Sequence, residues 1–352
     1  MKLNFTLTQL EYVLAVQRHG HFSKAADACH ITQPTLSMQI QKLEEELGAP
    51  LFDRSKKPIL LTALGARLIA QMQAVLTEAK KIEGLVQKGS SNRLEGELTL
   101  GVIPTVAPYV IPRVLPTLQK ELPGLRLKIR EMQTHRIVEA LQIDEIDVGL
   151  LATPLESARL YELALFYEPF SLLCQKKGEF GSRQTIEYGE LRSALEEQKL
   201  GRLWLLEEGH CLRHQVVDLC SLKKRGAPSR RVRTQDPKKP AGESHPLFRK
   251  DPEQFEFESG SLETLKNLVE TLGGCTLLPA LAKEGIGPHC RLIEFERPIP
   301  AREVGLVYLR EHHKVDLIEG LGETILKALP EELRRIRKKD LEVLPVEEES
   351  ER

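Results

Sequence analysis

The chain has 352 residues, with 50 Lys and Arg against 51 Asp and Glu, and 41% of its residues are hydrophobic. That length holds about two or three domains with ample core, and a net charge of −1 gives the whole molecule no field that points to a partner. No stretch nears the ~20 apolar residues of a membrane span and the N-terminus lacks a signal peptide, so a cytoplasmic protein with no membrane partner is expected.

Leu7, Leu10, Val13 and Leu14 recur at helical spacing and predict the first helix. Phe22 leads into Ser23, the expected N-cap of a short helix through Cys29, and Ile31 sits in the turn after it. Thr32 is placed to cap the next helix, and Pro34 falls in its first turn, where a missing N–H costs nothing. Leu36, Ile40, Leu43 and Leu47 give this helix one apolar stripe, and Gly48 and Pro50 end it. The other face of its first turns carries Gln33, Thr35, Ser37, Met38 and Gln39, side chains able to reach base edges or phosphates. Arg54, Lys56 and Lys57 follow in an expected wing. Gln33, Pro34, Thr35, Ser37, Gln39 and Arg54 are therefore the candidate DNA-binding residues. Residues 1–62 hold seven Lys and Arg against six Asp and Glu, so charge and periodicity fit a plain helical hairpin equally well.

The strings Phe-Ser-Lys-Ala-Ala, Thr-Gln-Pro-Thr-Leu-Ser-Met-Gln-Ile, Leu-Glu-Glu-Glu-Leu-Gly and Leu-Phe-Asp-Arg decide between them, because together they closely resemble the winged helix-turn-helix of LysR-type regulators. The resemblance implies a DNA-binding domain over residues 1–62, with double-stranded DNA and RNA polymerase as partners. From Thr62 to Lys88 one long helix is expected, with Leu64, Leu68, Ile69, Met72, Val75, Leu76, Ile82 and Leu85 in helical register. In LysR-type regulators this element pairs two subunits, which implies a homodimer or homotetramer. A helix packed on its own domain is the plain alternative. Gly89-Ser90-Ser91-Asn92 reads as a hinge, so 63–92 is assigned as linker helix and hinge.

Beyond the hinge the pattern alternates. Strands are expected at 97–102, 125–131, 148–151, 203–206, 276–278 and 303–309, and helices at 106–122, 135–143 and 261–272. This predicts an α/β domain over 93–330 with a mainly parallel sheet. The resemblance implies two α/β subdomains flanking a crevice, like periplasmic solute-binding proteins. The loop Ile103-Pro104-Thr105 should face that crevice. Residues 221–260 break the pattern: Ser221 to Lys250 holds ten Lys and Arg, two Asp and Glu and four prolines, a loosely held basic insertion. Residues 331–352 read as a frayed helix and charged tail.

Six cysteines, at 29, 174, 211, 220, 275 and 290, form no disulfide framework and no zinc spacing, so no metal or cofactor is expected. Cys211 stands near an expected helix start, where the dipole favours a thiolate, with Arg213 supplying positive charge and His210 and His214 able to donate hydrogen bonds. Taken alone, Cys211 and Cys220 fit two incidental buried thiols better than a sensor.

Their flanks point elsewhere. Glu-Glu-Gly-His-Cys-Leu-Arg-His-Gln around Cys211, Ser261 to Asn267, Thr276 to Ala280, Ile103 to Tyr109 and Gln133-Thr134-His135 resemble the peroxide-sensing OxyR group of LysR-type regulators. The resemblance covers residues 1 to about 310 apart from the insertion, and departs at His214, where the group usually has an Asp. It implies that Cys211 is the peroxide-reactive thiol and Cys220 the resolving one, and that Thr105, Thr134, His210 and Arg213 line the peroxide pocket. If residues 211–220 stay helical, nine steps part the two Cα atoms by about 13.5 Å, against the ~4.4–6.8 Å of a disulfide. The bond then forces that helix to unwind. Hydrogen peroxide is the implied signal. The competing reading is a LysR-type regulator of a small metabolite bound around Thr105. An enzyme is not expected, since Cys-x-x-Cys, nucleotide-loop and catalytic-triad patterns are absent.

Overall fold

The computed structural model describes residues 4–87, 94–155, 157–177, 179–197, 199–221 and 259–346. It divides into two compact units, the first formed by Met1–Arg93 with Glu311–Asp316 and the second by Leu94–Arg310 with Leu317–Arg352. Among the described residues no helix is long and apolar enough to cross a membrane.

In the first unit, helices α1 (Leu7–His19), α2 (Phe22–Ala28) and α3 (Gln33–Leu47) precede a wing of two short strands, β1 (Phe52–Asp53) and β2 (Leu60–Leu61), and the long helix α4 (Ala63–Gln87). Leu10, Val13, Val16, Leu36, Ile40 and Leu43 pack with Leu51 and Phe52 of the wing into one core. A Cβ on Gly65 would lie 2.2 Å from the Leu51 carbonyl oxygen, so only glycine lets α4 lie against the wing backbone. Two expected caps differ. His21, not Ser23, is the N-cap of α2, because Phe22 already turns into the helix to reach the core. Thr32 caps α3 by backbone alone, since its hydroxyl pairs with that of Thr35 at 2.8 Å. The long helix is present, and Ile69, Met72 and Leu76 of its first half are buried in the core of its own unit while Ile82 is 65% exposed. The 89–92 hinge lies outside the described residues.

The second unit runs β3 (Gly96–Val102), α5 (Ala107–Glu121), β4 (Leu125–Glu131), α6 (Thr134–Gln142), β5 (Val148–Thr153), β6 (Leu160–Gln175), β7 (Thr185–Ile186), α7 (Tyr188–Glu196) and α8 (Cys211–Ser221). After the insertion come α9 (Leu262–Leu272), β8 (Cys275–Pro279), β9 (Cys290–Phe295), β10 (Ile299–Leu309), α10 (Val315–Ala328), α11 (Glu331–Arg335) and β11 (Leu341–Val343). The first subdomain's strands follow the order β4-β3-β5-β10-β6, and the second subdomain's ladders join β6 to β8 and β9, with β7 beyond β9. Strand β6 serves both: Leu160–Pro169 pairs with β10, and Phe170–Gln175 with β8, β9 or both.

The sheet is mixed rather than mainly parallel. β3, β4 and β5 are parallel, but β10 pairs antiparallel with β5 and with β6, the two strands that carry the chain between the subdomains being β6 and β10. The stretch 203–206 contributes only a single bridge, Leu203 to Cys275. Residues 331–346 are no frayed tail: β11 pairs in parallel with β10, and Leu333, Leu344 and Val346 are buried. Those three apolar residues sit in a charge-dense stretch, which hid their role. Of the basic insertion, residues 222–258 lie outside the described residues.

Candidate functional site

Helix α8 begins at Cys211 and is continuous to Ser221, so both thiols lie on one helix as expected. Gly209 makes the turn into it with φ +87, the left-handed region that favours glycine, and its Cα lies against the end of the Gln133 side chain at the start of α6. His210 is buried, with Nε2 3.4 Å from Glu207 Oε1. The Glu207 amide donates to the Ser259 carbonyl oxygen at 3.0 Å.

Cys211 itself is buried. Desolvation raises its pKa, while the positive charge of Arg302 and then the neighbouring Thr134 hydroxyl work in the opposite direction. The dominant electrostatic partner is thus Arg302, not Arg213. The Arg213 guanidinium donates through Nη1 to the Leu206 carbonyl oxygen at 2.7 Å and so braces the entry to α8. Thr134 Oγ1 is buried and hydrogen-bonded to no other group, and it stands close enough to favour the Cys211 thiolate.

Arg302 is completely buried and carries the electrostatics of the site. Its Nε donates to Glu168 Oε2 at 2.8 Å, Nη1 to Thr105 Oγ1 at 2.8 Å and Nη2 to the Thr105 carbonyl oxygen at 3.1 Å. Glu168 is equally buried and accepts a further bond from the Leu281 amide at 2.8 Å. Sequence reading missed both charged residues. The signal was Arg302 in β10 and Glu168 in β6, each within a largely apolar strand, where a buried charge must find a partner.

Beside these groups a cavity of about 380 Å³ opens between the subdomains. It is lined by Pro104, Glu131, Met132 and Gln133 from one side and by Glu207, His210, Ser259, Gly260 and Ser261 from the other. Of the expected pocket residues only His210 lines this opening; Thr105, Thr134 and Arg213 do not, nor does Cys211, although Thr105, Thr134 and Cys211 each adjoin a lining residue in the chain. Cys220 is fully buried at the other end of α8, and burial pushes its thiol up to about 12.

In the first unit, Gln33, Pro34 and Thr35 are exposed and Ser37 half-buried in the first turns of α3, with Met38 61% exposed beside them. Gln39 Oε1 accepts from Gln9 Nε2 at 3.3 Å. Arg54 pairs with Glu44 Oε2 at 2.7 Å and lies 5.1 Å from the Phe22 ring centroid. Glu44 Oε1 also accepts from the Leu51 amide at 2.7 Å, so this one carboxylate fixes the wing to α3.

The model for the bacterial regulatory helix-turn-helix protein, lysR family, matches residues 7–66, and that for the LysR substrate binding domain matches residues 91–238. The chain is 35% identical to a hydrogen peroxide-inducible genes activator of Dickeya chrysanthemi, over 86% of this chain and 88% of the relative. It is 34% identical to the DNA-binding transcriptional dual regulator OxyR of Escherichia coli, over 91% and 94%. Among solved structures, a full-length OxyR variant from Pseudomonas aeruginosa aligns with a TM-score of 0.69 at 31% identity, covering 92% of this chain and 98% of that one. A hydrogen peroxide-bound OxyR mutant from Corynebacterium glutamicum aligns with a TM-score of 0.54 at 30% identity, covering 93% and 94%.

Proposed function

The chain belongs to the LysR family of bacterial helix-turn-helix regulators, in the group of hydrogen peroxide-inducible genes activators, and from that premise we propose how it reads its signal. It is a DNA-binding transcription regulator, not an enzyme. Peroxide enters by the crevice past His210 and is attacked by the Cys211 thiolate. Thr134 has a hydroxyl to offer the peroxide oxygens, and the Arg302–Thr105 pair provides positive charge and a fixed hydroxyl. Cys211 becomes a sulfenic acid, and Cys220 condenses with it to a disulfide with loss of water.

The observation that carries this reading is the place of Cys211, a buried thiol at the first residue of α8 under the field of Arg302. Its partner Cys220 stands nine residues along the same helix, about 13.5 Å away by the helical rise, so the disulfide requires α8 to unwind. That refolding alters the packing of the regulatory unit in a homodimer or homotetramer joined through α4, and so the spacing of the DNA-reading helices on their half-sites. Gln33, Pro34, Thr35, Ser37, Gln39 and Arg54 contact the duplex, and RNA polymerase is the partner of the bound regulator.

Peptide mapping after stoichiometric hydrogen peroxide tests the switch. A Cys211–Cys220 disulfide that is absent in Cys211→Ser is expected; unmodified thiols at both positions would refute it. The second reading rests on the cavity of about 380 Å³, a size fit for a metabolite by the ~300–1,000 Å³ of small-molecule sites. A regulatory response that survives in Cys211→Ser and follows a small molecule would favour it.

A further inference from the structure

The sensor pair leaves other buried thiols unused, and two of them face one another across the second subdomain's sheet. Cys174 in β6 and Cys275 in β8 are direct partners in an antiparallel ladder. The Cys275 amide donates to the Arg202 carbonyl oxygen at 2.8 Å, and its carbonyl accepts from the Trp204 amide at 2.8 Å. Both polar groups of Cys275 therefore point away from β6. That makes Cys174–Cys275 a non-hydrogen-bonded pair, the class in which opposed Cα atoms stand only about 4.5 Å apart and the side chains share one face. A disulfide accepts Cα separations of ~4.4–6.8 Å. Where Cys211 and Cys220 need a helix to unwind, these two need only side-chain rotation. Two other thiols lie within electrostatic reach, Cys290 of Cys174 and Cys220 of Cys275, but Cys290 stands opposite Gln175 with its thiol bonded to the Glu270 carboxylate, and Cys220 lies on α8 rather than on a paired strand.

We propose that Cys174 and Cys275 form a second oxidisable dithiol, closing as a cross-strand disulfide that staples β6 to β8. In the first step a thiolate of the pair attacks one oxygen of hydrogen peroxide. The O–O bond breaks, hydroxide leaves and takes up the thiol's proton as water, and a sulfenic acid remains. The second sulfur attacks the sulfenic sulfur, the S–O bond breaks, and a second water leaves with the remaining proton. Two thiols and one peroxide yield one disulfide and two waters, the sulfurs being oxidised and the peroxide oxygens reduced. Burial holds Cys174 up at about 11 and Cys275 well above the ordinary 9.0. Arg291 opposes the rise at Cys174 from a partly exposed position, and among the described residues no fully buried arginine acts on the pair as Arg302 acts on Cys211. Since only the thiolate reacts, this pair closes more slowly than the sensor pair and registers sustained exposure. The staple also joins the strand that carries Glu168, in the β6–β10 ladder opposite Arg302, to the strand that leads into Leu281, whose amide bonds Glu168 at 2.8 Å. Prolonged oxidation would thereby rigidify the seat of Arg302.

The test is disulfide mapping of the full-length chain and of a Cys211→Ser, Cys220→Ser double variant across graded hydrogen peroxide, quenched by alkylation in denaturant. A Cys174–Cys275 linkage is expected in both proteins, at exposures roughly tenfold or more above those that oxidise Cys211 in the unaltered chain. Its appearance in the double variant makes it independent of the sensor pair. Free thiols at 174 and 275 at every dose, separate over-oxidation of each, or a Cys220–Cys275 linkage in place of it would overturn the proposal. A Cys174→Ala chain serves as control, and there Cys275 should stay unlinked.

Discussion

Arg302 holds Glu168 and Thr105 while imposing its charge on the Cys211 thiol. Replacing it by Met should slow Cys211 oxidation at neutral pH by on the order of tenfold, the effect of about one pKa unit on the thiolate fraction, as read by stopped-flow with peroxide. It should also destabilise the fold by about 3–5 kcal/mol, because Glu168 is left charged and buried without a partner. Adding Glu168→Gln should recover part of the stability and none of the rate, which separates the electrostatic role from the structural one. Thr134→Val removes a buried hydroxyl that lacks a full partner, so stability should hold within ~1 kcal/mol while the peroxide rate falls. An unchanged rate in Thr134→Val would remove that hydroxyl from the chemistry. Both residues show how legibility varies with position. Thr134 was readable from its motif. Arg302 lies 91 residues beyond Cys211 in the sequence, and local pattern carries no information on such a pairing.

Helix α8 is held along its length as well as at its first residue. Gln215, fully buried, donates its amide to the Leu344 carbonyl oxygen at 3.3 Å, which ties the helix to the segment after β11. A chain ended at Asp340 loses this bond together with the β10–β11 pairing. Its α8 amides should exchange faster with deuterium, and the Cys211–Cys220 disulfide should close faster after peroxide. Equal exchange in the two chains would show that the C-terminal segment does not brace the switch. In the other unit, Glu44→Ala frees the wing amides of Leu51 and Phe52 and the Arg54 guanidinium. DNA affinity should fall although Glu44 is itself an acid, and the salt dependence of binding should hold, because no phosphate contact is lost. These elements divide by how they announced themselves. Helices with their own apolar stripe, such as α3 and α9, were legible within a few residues. β6, the spine of the second unit, was missed because Glu168 and Pro169 interrupt its apolar run.

At the scale of the molecule, neutral buried thiols set a limit on alkaline stability. Cys174 is pushed up to about 11 and Cys220 to about 12, from an ordinary 9.0, both by burial. The folded chain binds these protons more tightly than the unfolded chain, so their contribution is fully present below about pH 9. It is lost as pH rises from there through the folded values. Under reducing conditions the thermal midpoint should fall between pH 9 and 11, and Cys220→Ala should flatten part of that decline. A midpoint that does not move over this range would contradict the burial of the thiols. The sequence by itself determined the DNA-binding domain, the long helix, the alternation of strand and helix after it, and the helix that carries Cys211 and Cys220. Each of these is written in short-range periodicity, caps and turns that neighbouring residues settle among themselves. Only the tertiary structure decided the mixed sheet, the burial of the C-terminal segment, the seat of Arg302 and the opposition of Cys174 to Cys275. Those depend on which strands the chain returns to after long excursions, and ladder register between distant segments is fixed by packing the whole core.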